Sequence, residues 1–296
     1  MYTFVSSNAA LLFRERRRSF FKRFLPPAKT VAPKIPAAEL KTAIFDFYNS
    51  QRMQIFKEIA GRICAAWALI TFVITFLLVL PFALISYLFP EPASTAYFIR
   101  VSKVWMHVWF FLIGCRIRVR GTEHFKKGTG YVVTCNHNSL LDIPLSSAFI
   151  PGPNKTIAKN SFARIPIFGW YYSKGSVLVD RKSEKSRKKS IEKMKAVLKQ
   201  GMHMCIYPEG TRNRTRELLK PFYNGAFKLS EDTGHAIIPA VILGTKKAVP
   251  LSKPFFFLPR TLEIHFLEPV SPLSKTTARL KEEIFTIMKD YLQQHQ

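Results

Sequence analysis

The chain has 296 residues, 48% of them hydrophobic, enough to bury a sizeable core in one large domain or two small ones. A formal net charge of +26 selects anionic partners and excludes basic ones, leaving nucleic acid or an acidic membrane surface. With 26 Phe and only 22% charged residues the balance favours the membrane, and no nucleic-acid-binding module is recognisable.

Residues 1–62 read as a basic N-terminal segment with a Pro-rich linker. Arg14, Arg16, Arg17, Arg18, Lys22 and Arg23 alternate with Phe13, Phe20, Phe21 and Phe24. Such a segment presses aromatics into lipid while its cations meet acidic headgroups; a solvated tail or a transit peptide are the alternatives. Pro26, Pro27, Pro33 and Pro36 mark the linker, and a helix is expected from Ala38 to Gly61.

Residues 63–115 read as a membrane-embedded helical hairpin. Ile63 to Phe89 carries no charge and exceeds the roughly 20 helical residues that cross a hydrocarbon core. Pro81 is expected to interrupt it, and Pro90 and Pro92 to stop it. A second apolar run, Val104 to Cys115, is short alone but makes a helix when counted from Ala93, expected to return with Trp105 and Trp109 as interface anchors. Basic flanks at both ends (Arg52 to Arg62, Arg116 to Arg120) place both on the cytoplasmic side.

Residues 116–296 read as an α/β domain, a mostly parallel sheet flanked by helices. Strands are expected at Ile117–Arg120, Tyr131–Cys135, Lys155–Ala158, Ser176–Val179, Met204–Tyr207, Ile237–Ile242 and Leu262–Phe266. Helices are expected at Ser139–Phe149, Glu184–Lys199, Ala226–Glu231 and Ala278–Leu292. The helix from Glu184 carries Lys185, Arg187, Lys188, Lys189, Lys193 and Lys195. It is either a solvated face or one that attracts anionic lipid or an acidic carrier protein.

Chemistry is expected where strands end. His137 follows the strand Tyr131–Cys135, and Asp142, five positions on, can reach back to one imidazole nitrogen. That contact fixes the tautomer and leaves the other nitrogen free to take a proton. The next strand-end stretch is Glu209-Gly210-Thr211-Arg212, and Asp180-Arg181 offers a second cation. Arg clamps phosphate by two hydrogen bonds. The four cysteines, Cys64, Cys115, Cys135 and Cys205, show no metal-type spacing and read as reduced thiols, with no metal site. Cys135 or Ser139 as a hydrolase nucleophile is the enzymatic rival, and Cys135 reads more naturally as a packed strand residue.

Four stretches occur in one order: Asn136-His137 with Asp142; Ile165-Pro166-Ile167-Phe168-Gly169-Trp170 through Gly175 to Asp180-Arg181; Tyr207-Pro208-Glu209-Gly210-Thr211-Arg212 with Pro221-Phe222 and Gly225-Ala226-Phe227; and Ile238-Pro239-Ala240. In this the chain resembles the 1-acylglycerol-3-phosphate acyltransferase family of glycerolipid acyltransferases, from Gly121 to about Leu243. The resemblance implies acyl transfer from acyl-coenzyme A or acyl carrier protein to the free hydroxyl of a lysophospholipid, most simply 1-acylglycerol-3-phosphate giving phosphatidate. Another lysolipid acceptor is the alternative, and a non-catalytic protein binding anionic membrane lipids a further one. In this reading His137 is the general base and Asp142 its orienting partner. Arg212, Arg181 and Lys159 bind phosphate, and Glu209 holds a substrate hydroxyl or aligns an Arg. The Glu209-Gly210-Thr211 backbone supplies oxyanion donors. No cofactor is implied beyond the thioester co-substrate. Phe162, Ile165, Phe168 and Trp170 are either core or the lining of an acyl tunnel.

Overall fold

The computed structural model describes residues 37–180 and 183–295. The basic segment and linker before residue 37, and Arg181, lie outside the described residues. The chain divides into two compact units, Met1–Lys57 and Glu58–Gln296.

In the first unit the described residues open helix α1, Ala37–Ile85, which leaves Phe45, Tyr48 and Phe56 exposed. The helix does not pause at the end of the basic segment, so the expected separate helix and the apolar run are one element. It also runs through Pro81, which was expected to break it. A proline removes one donor from the ladder, and the buried Leu80 and Ala83 on either side hold the helix together across that gap.

The second unit contains the rest. After a turn, α2 (Ala93–Leu112) runs back against α1. Trp105 Nε1 donates to Thr75 Oγ1 at 2.9 Å, and Trp109 Nε1 to the Ala68 carbonyl at 3.1 Å. These two tryptophans therefore lie buried between helices rather than anchoring at a lipid interface; an indole buried in a helix pair needs an acceptor, and α1 supplies it. The two helices pair antiparallel, and the second arm buries one face, including Met106 and Phe110, on the α/β core. Among the described residues one stretch, Phe45–Leu88, is long and apolar enough to cross a membrane.

Seven strands form one sheet: β1 (Ile117–Arg120), β2 (Val132–Cys135), β3 (Asn154–Lys159), β4 (Ser176–Val179), β5 (His203–Ile206), β6 (Ile237–Leu243) and β7 (Leu262–Phe266). Their order is β1-β7-β6-β2-β5-β3-β4. All neighbours are parallel except β6 and β7. Strands covered on both faces read as continuous apolar runs, and β2, β5 and the first six residues of β6 are buried throughout.

Period-two alternation sends Val133 and Cys135 into a core shared with α1, α2 and α3 (Asp142–Phe149). Val132 and Met204 face the other core. There they meet α5 (Glu184–Lys199), α6 (Gly225–Thr233) and α8 (Thr277–Gln294). In α8, Leu280, Ile284, Met288 and Leu292 recur every fourth residue and form its buried stripe. Two short helices, α4 (Phe168–Lys174) and α7 (Thr245–Ala248), have too few residues for a periodic signal.

Because β2, β5, β3 and β4 are adjacent and parallel, their carboxyl ends share one edge. His137, the Glu209–Arg212 loop and Lys159 all leave the sheet there.

Candidate active site

His137 emerges two residues beyond β2, and Asp142 is the first residue of α3. A helix N-terminus favours a negative charge. His137 Nδ1 donates to Asp142 Oδ2 at 2.9 Å. The same oxygen accepts the backbone N–H groups of Asn138 at 2.5 Å and Ser139 at 2.7 Å. Asp142 is wholly buried, whereas the His137 side chain keeps 13% of its surface in solvent. The carboxylate fixes the orientation of the imidazole through Nδ1 and leaves Nε2 on the opposite side of the ring.

The main chain of His137 is clamped as well. Its N–H donates to Glu209 Oε1 at 2.7 Å, and its carbonyl accepts the Asn213 N–H at 2.7 Å. Glu209 Oε2 accepts the Lys220 N–H at 3.0 Å. The Glu209 carboxylate is therefore fully buried with both oxygens on backbone donors, a different set of partners from the substrate hydroxyl or Arg expected for it. Burial raises its pKa, against the pull of those two N–H groups. The imidazole also lies on the Tyr207 ring, centroids 4.4 Å apart. The Tyr207 hydroxyl bonds Ser146 Oγ at 2.7 Å, and burial pushes it well above the usual phenol range.

Gly210 has φ +71°, a left-handed conformation that favours glycine in this loop. Its N–H goes to the Tyr207 carbonyl at 3.0 Å within the turn. Thr211 is exposed, and its hydroxyl accepts Lys220 Nζ at 2.9 Å. Arg212 is half-buried, and Lys159 is exposed at the end of β3.

The alternative nucleophiles are sealed off. Cys135 is fully buried with its sulfur 3.8 Å from Cys205, and that neighbour together with burial raises its thiol well above the ordinary range. Ser139 is fully buried, with its hydroxyl accepting the Leu141 N–H at 3.3 Å.

Tyr207, Asn213, Lys220 and Asn136 escape a reading by spacing, because their contacts cross between strands. Asn136 forms a two-way bond with Ile242 of β6, at 3.0 and 2.7 Å, fixing the end of β2 just before His137. Asn136 and Tyr207 were visible only as members of the motifs that carry His137 and Glu209, and Asn213 and Lys220 lie between motif stretches with no signal of their own.

Residues 116–243 match the family model described as Acyltransferase. A 1-acyl-sn-glycerol-3-phosphate acyltransferase of Saccharomyces cerevisiae is 29% identical over 184 residues, 61% of this chain and 60% of that one. One from Helicobacter pylori is 30% identical over 197 residues, 66% of this chain and 81% of that one. The crystal structure of the 1-acyl-sn-glycerophosphate acyltransferase from Thermotoga maritima superposes with a TM-score of 0.69 at 23% identity. It covers 80% of this chain and 97% of its own, and shows the fold. The chain spans about half to three-fifths of the length of the first curated relatives it matches. The matched family model and the Helicobacter pylori relative, four-fifths of which the chain covers, lead to one conclusion: the chain belongs to the acyltransferase family that includes the 1-acyl-sn-glycerol-3-phosphate acyltransferases.

Proposed function

We propose that the chain transfers a fatty acyl group from a thioester, acyl-coenzyme A or acyl carrier protein, to the free hydroxyl of 1-acylglycerol-3-phosphate, giving phosphatidate. The observation that carries this reading is the 2.9 Å bond from His137 Nδ1 to the buried Asp142, beside an imidazole that still reaches solvent. A hydroxyl is a poor nucleophile at neutral pH, so its proton must leave as it attacks. In this scheme His137 Nε2 takes that proton and the alkoxide adds to the thioester carbonyl. The tetrahedral species collapses by breaking the C–S bond, and the imidazolium returns the proton to the departing thiolate. The substrate hydroxyl thus fills the place a serine holds in a triad, and no acyl-enzyme forms.

The carbonyl oxygen gains charge on the way and needs fixed donors. With the Gly210 N–H occupied, Thr211 and Arg212 are the loop positions assigned to that task. Arg212 and Lys159 bind the acceptor phosphate from the same edge, with Arg181 as a further cation. Glu209 is assigned a positioning role, holding the His137 main chain. No metal or cofactor enters the scheme.

The names of the relatives support the acceptor, since those proteins are called 1-acyl-sn-glycerol-3-phosphate acyltransferases. An acceptor with one acyl chain partitions into bilayers, and α1 suits that location: Ile63, Trp67, Ile70, Val73, Ile74 and Leu77 are exposed. We assign the chain to the membrane through this helix, with the catalytic edge on the cytoplasmic side and anionic lipids as its surface partners. Replacing His137→Ala should lower acyl transfer by about 10²- to 10⁴-fold with circular dichroism unchanged. Substantial turnover by the folded variant would refute the base assignment.

A further inference from the structure

The segment after β3 gathers several exposed apolar side chains within nine residues. It forms a 3-10 turn over Asn160–Arg164 and then α4. Phe162, Ile165, Ile167 and Trp170 are between 44% and 59% exposed. Ile167 sits at φ +66°, a region that β-branched residues avoid. A sequence that packed this loop into the core would not place isoleucine there with its side chain in solvent. The strained residue is displayed, not buried.

The loop is also fastened to the hairpin. The Tyr87 hydroxyl donates to the Trp170 carbonyl at 2.8 Å, and the Phe168 ring meets Phe76 of α1 at 5.7 Å. Glu91, in the turn between α1 and α2, pairs with Lys155 at 2.9 Å and Lys174 at 3.3 Å. The exposed apolar surface of α1 therefore continues through Tyr87 and Leu88 onto the loop. Exposed cations stand at its base, Lys159 at the end of β3 and Arg164 before Ile165. Apolar tips with cations behind them are complementary to acyl chains beneath anionic headgroups.

We propose that the loop 162–170 is a membrane contact made by the catalytic domain itself, inserting Ile165, Ile167 and Trp170 into an anionic lipid surface beside the catalytic edge. The inference rests on the membrane-bound reading of α1 and extends it. The loop fixes which edge of the domain meets lipid, so an acceptor reaches His137 by lateral movement along the interface.

The test uses the full chain carrying Cys64→Ser and Ile167→Cys, labelled with an environment-sensitive fluorophore; the other three cysteines are buried. A second chain carries the label at Gln293→Cys, exposed on α8 across the sheet. On phosphatidylcholine vesicles containing phosphatidylglycerol, the label at position 167 should shift to the blue and be quenched by brominated lipid, while the label on α8 does neither. In parallel, Ile165→Ser with Ile167→Ser should lower transfer to vesicle-embedded lysophosphatidate about tenfold. Transfer to a water-soluble short-chain acceptor should be unchanged. A label at 167 that stays water-like on vesicle-bound protein overturns the proposal, as does a chain that binds no vesicles. A blue shift that needs only higher protein concentration, without vesicles, assigns the surface to a second copy and overturns it too. Lipid quenching in a protein that acylates no acceptor would sink the reaction and leave the contact standing.

Discussion

A buried carboxylate that accepts two backbone N–H groups is part of the scaffold, even when its neighbours do chemistry. Glu209 holds the His137 N–H and the Lys220 N–H, one on each oxygen. Glutamine in its place keeps one oxygen and turns an NH₂ group toward the other donor. An unsatisfied buried donor costs roughly 1–3 kcal/mol and moves His137 off its line. We therefore expect Glu209→Gln to cut kcat by about 10- to 100-fold with little change in the KM for the acceptor. A raised KM at unchanged kcat would return Glu209 to the substrate. His137 and Asp142 were legible in the sequence because five residues bridge a strand end and a helix start, a local geometry. The Glu209 contact was not, since 72 residues separate it from His137 and only the pairing of β2 with β5 brings them together. The same pairing brings Tyr207 under the imidazole.

At the scale of elements, the strands and long helices of the α/β domain were readable from apolar runs and four-residue periodicity, and there the observed bounds differ by a residue or two. The helix at Asp142 was the exception: it starts three residues later than expected, because Asn138 and Ser139 give their N–H groups to Asp142 in a turn. Pro81 and the two hairpin tryptophans were misread for one reason. A local rule was applied where packing between α1 and α2 decides. How β5 begins carries a pH consequence. His203 accepts the Tyr131 N–H on Nδ1 at 3.2 Å. Burial lowers its pKa to about 4, against the opposing bond to the Pro151 carbonyl. The fold keeps this ring neutral, while the unfolded chain binds a proton near pH 6.5. Its contribution to stability is thus complete above pH 6.5 and falls away as pH drops toward 4. Denaturant titrations should show stability declining through that window in the wild type and a flatter profile in His203→Gln. Equal slopes in the two proteins would contradict the assignment.

For the whole molecule, charge and hydropathy anticipated a membrane protein with an α/β domain, and the sheet with its exposed apolar helix agrees with that outline. The arrangement of the hairpin was beyond composition. Both arms bury one face and expose another, α1 with Ala65, Ala68, Phe76 and Leu80 inside and Ile63, Ile70 and Leu77 outside, a distinction made by which residues find partners and not by their hydrophobicity. The parallel order of β2, β5, β3 and β4 then gathers His137, the Glu209–Arg212 loop and Lys159 at one edge.

The most direct test gives detergent-purified protein a radiolabelled acyl-coenzyme A or acyl carrier protein together with 1-acylglycerol-3-phosphate. The wild type should give labelled phosphatidate, and His137→Ala about a hundredfold less or lower still. Label appearing in another lysolipid from a mixed panel, with lysophosphatidate untouched, would contradict the proposed acceptor. Equal transfer by both proteins would contradict the mechanism.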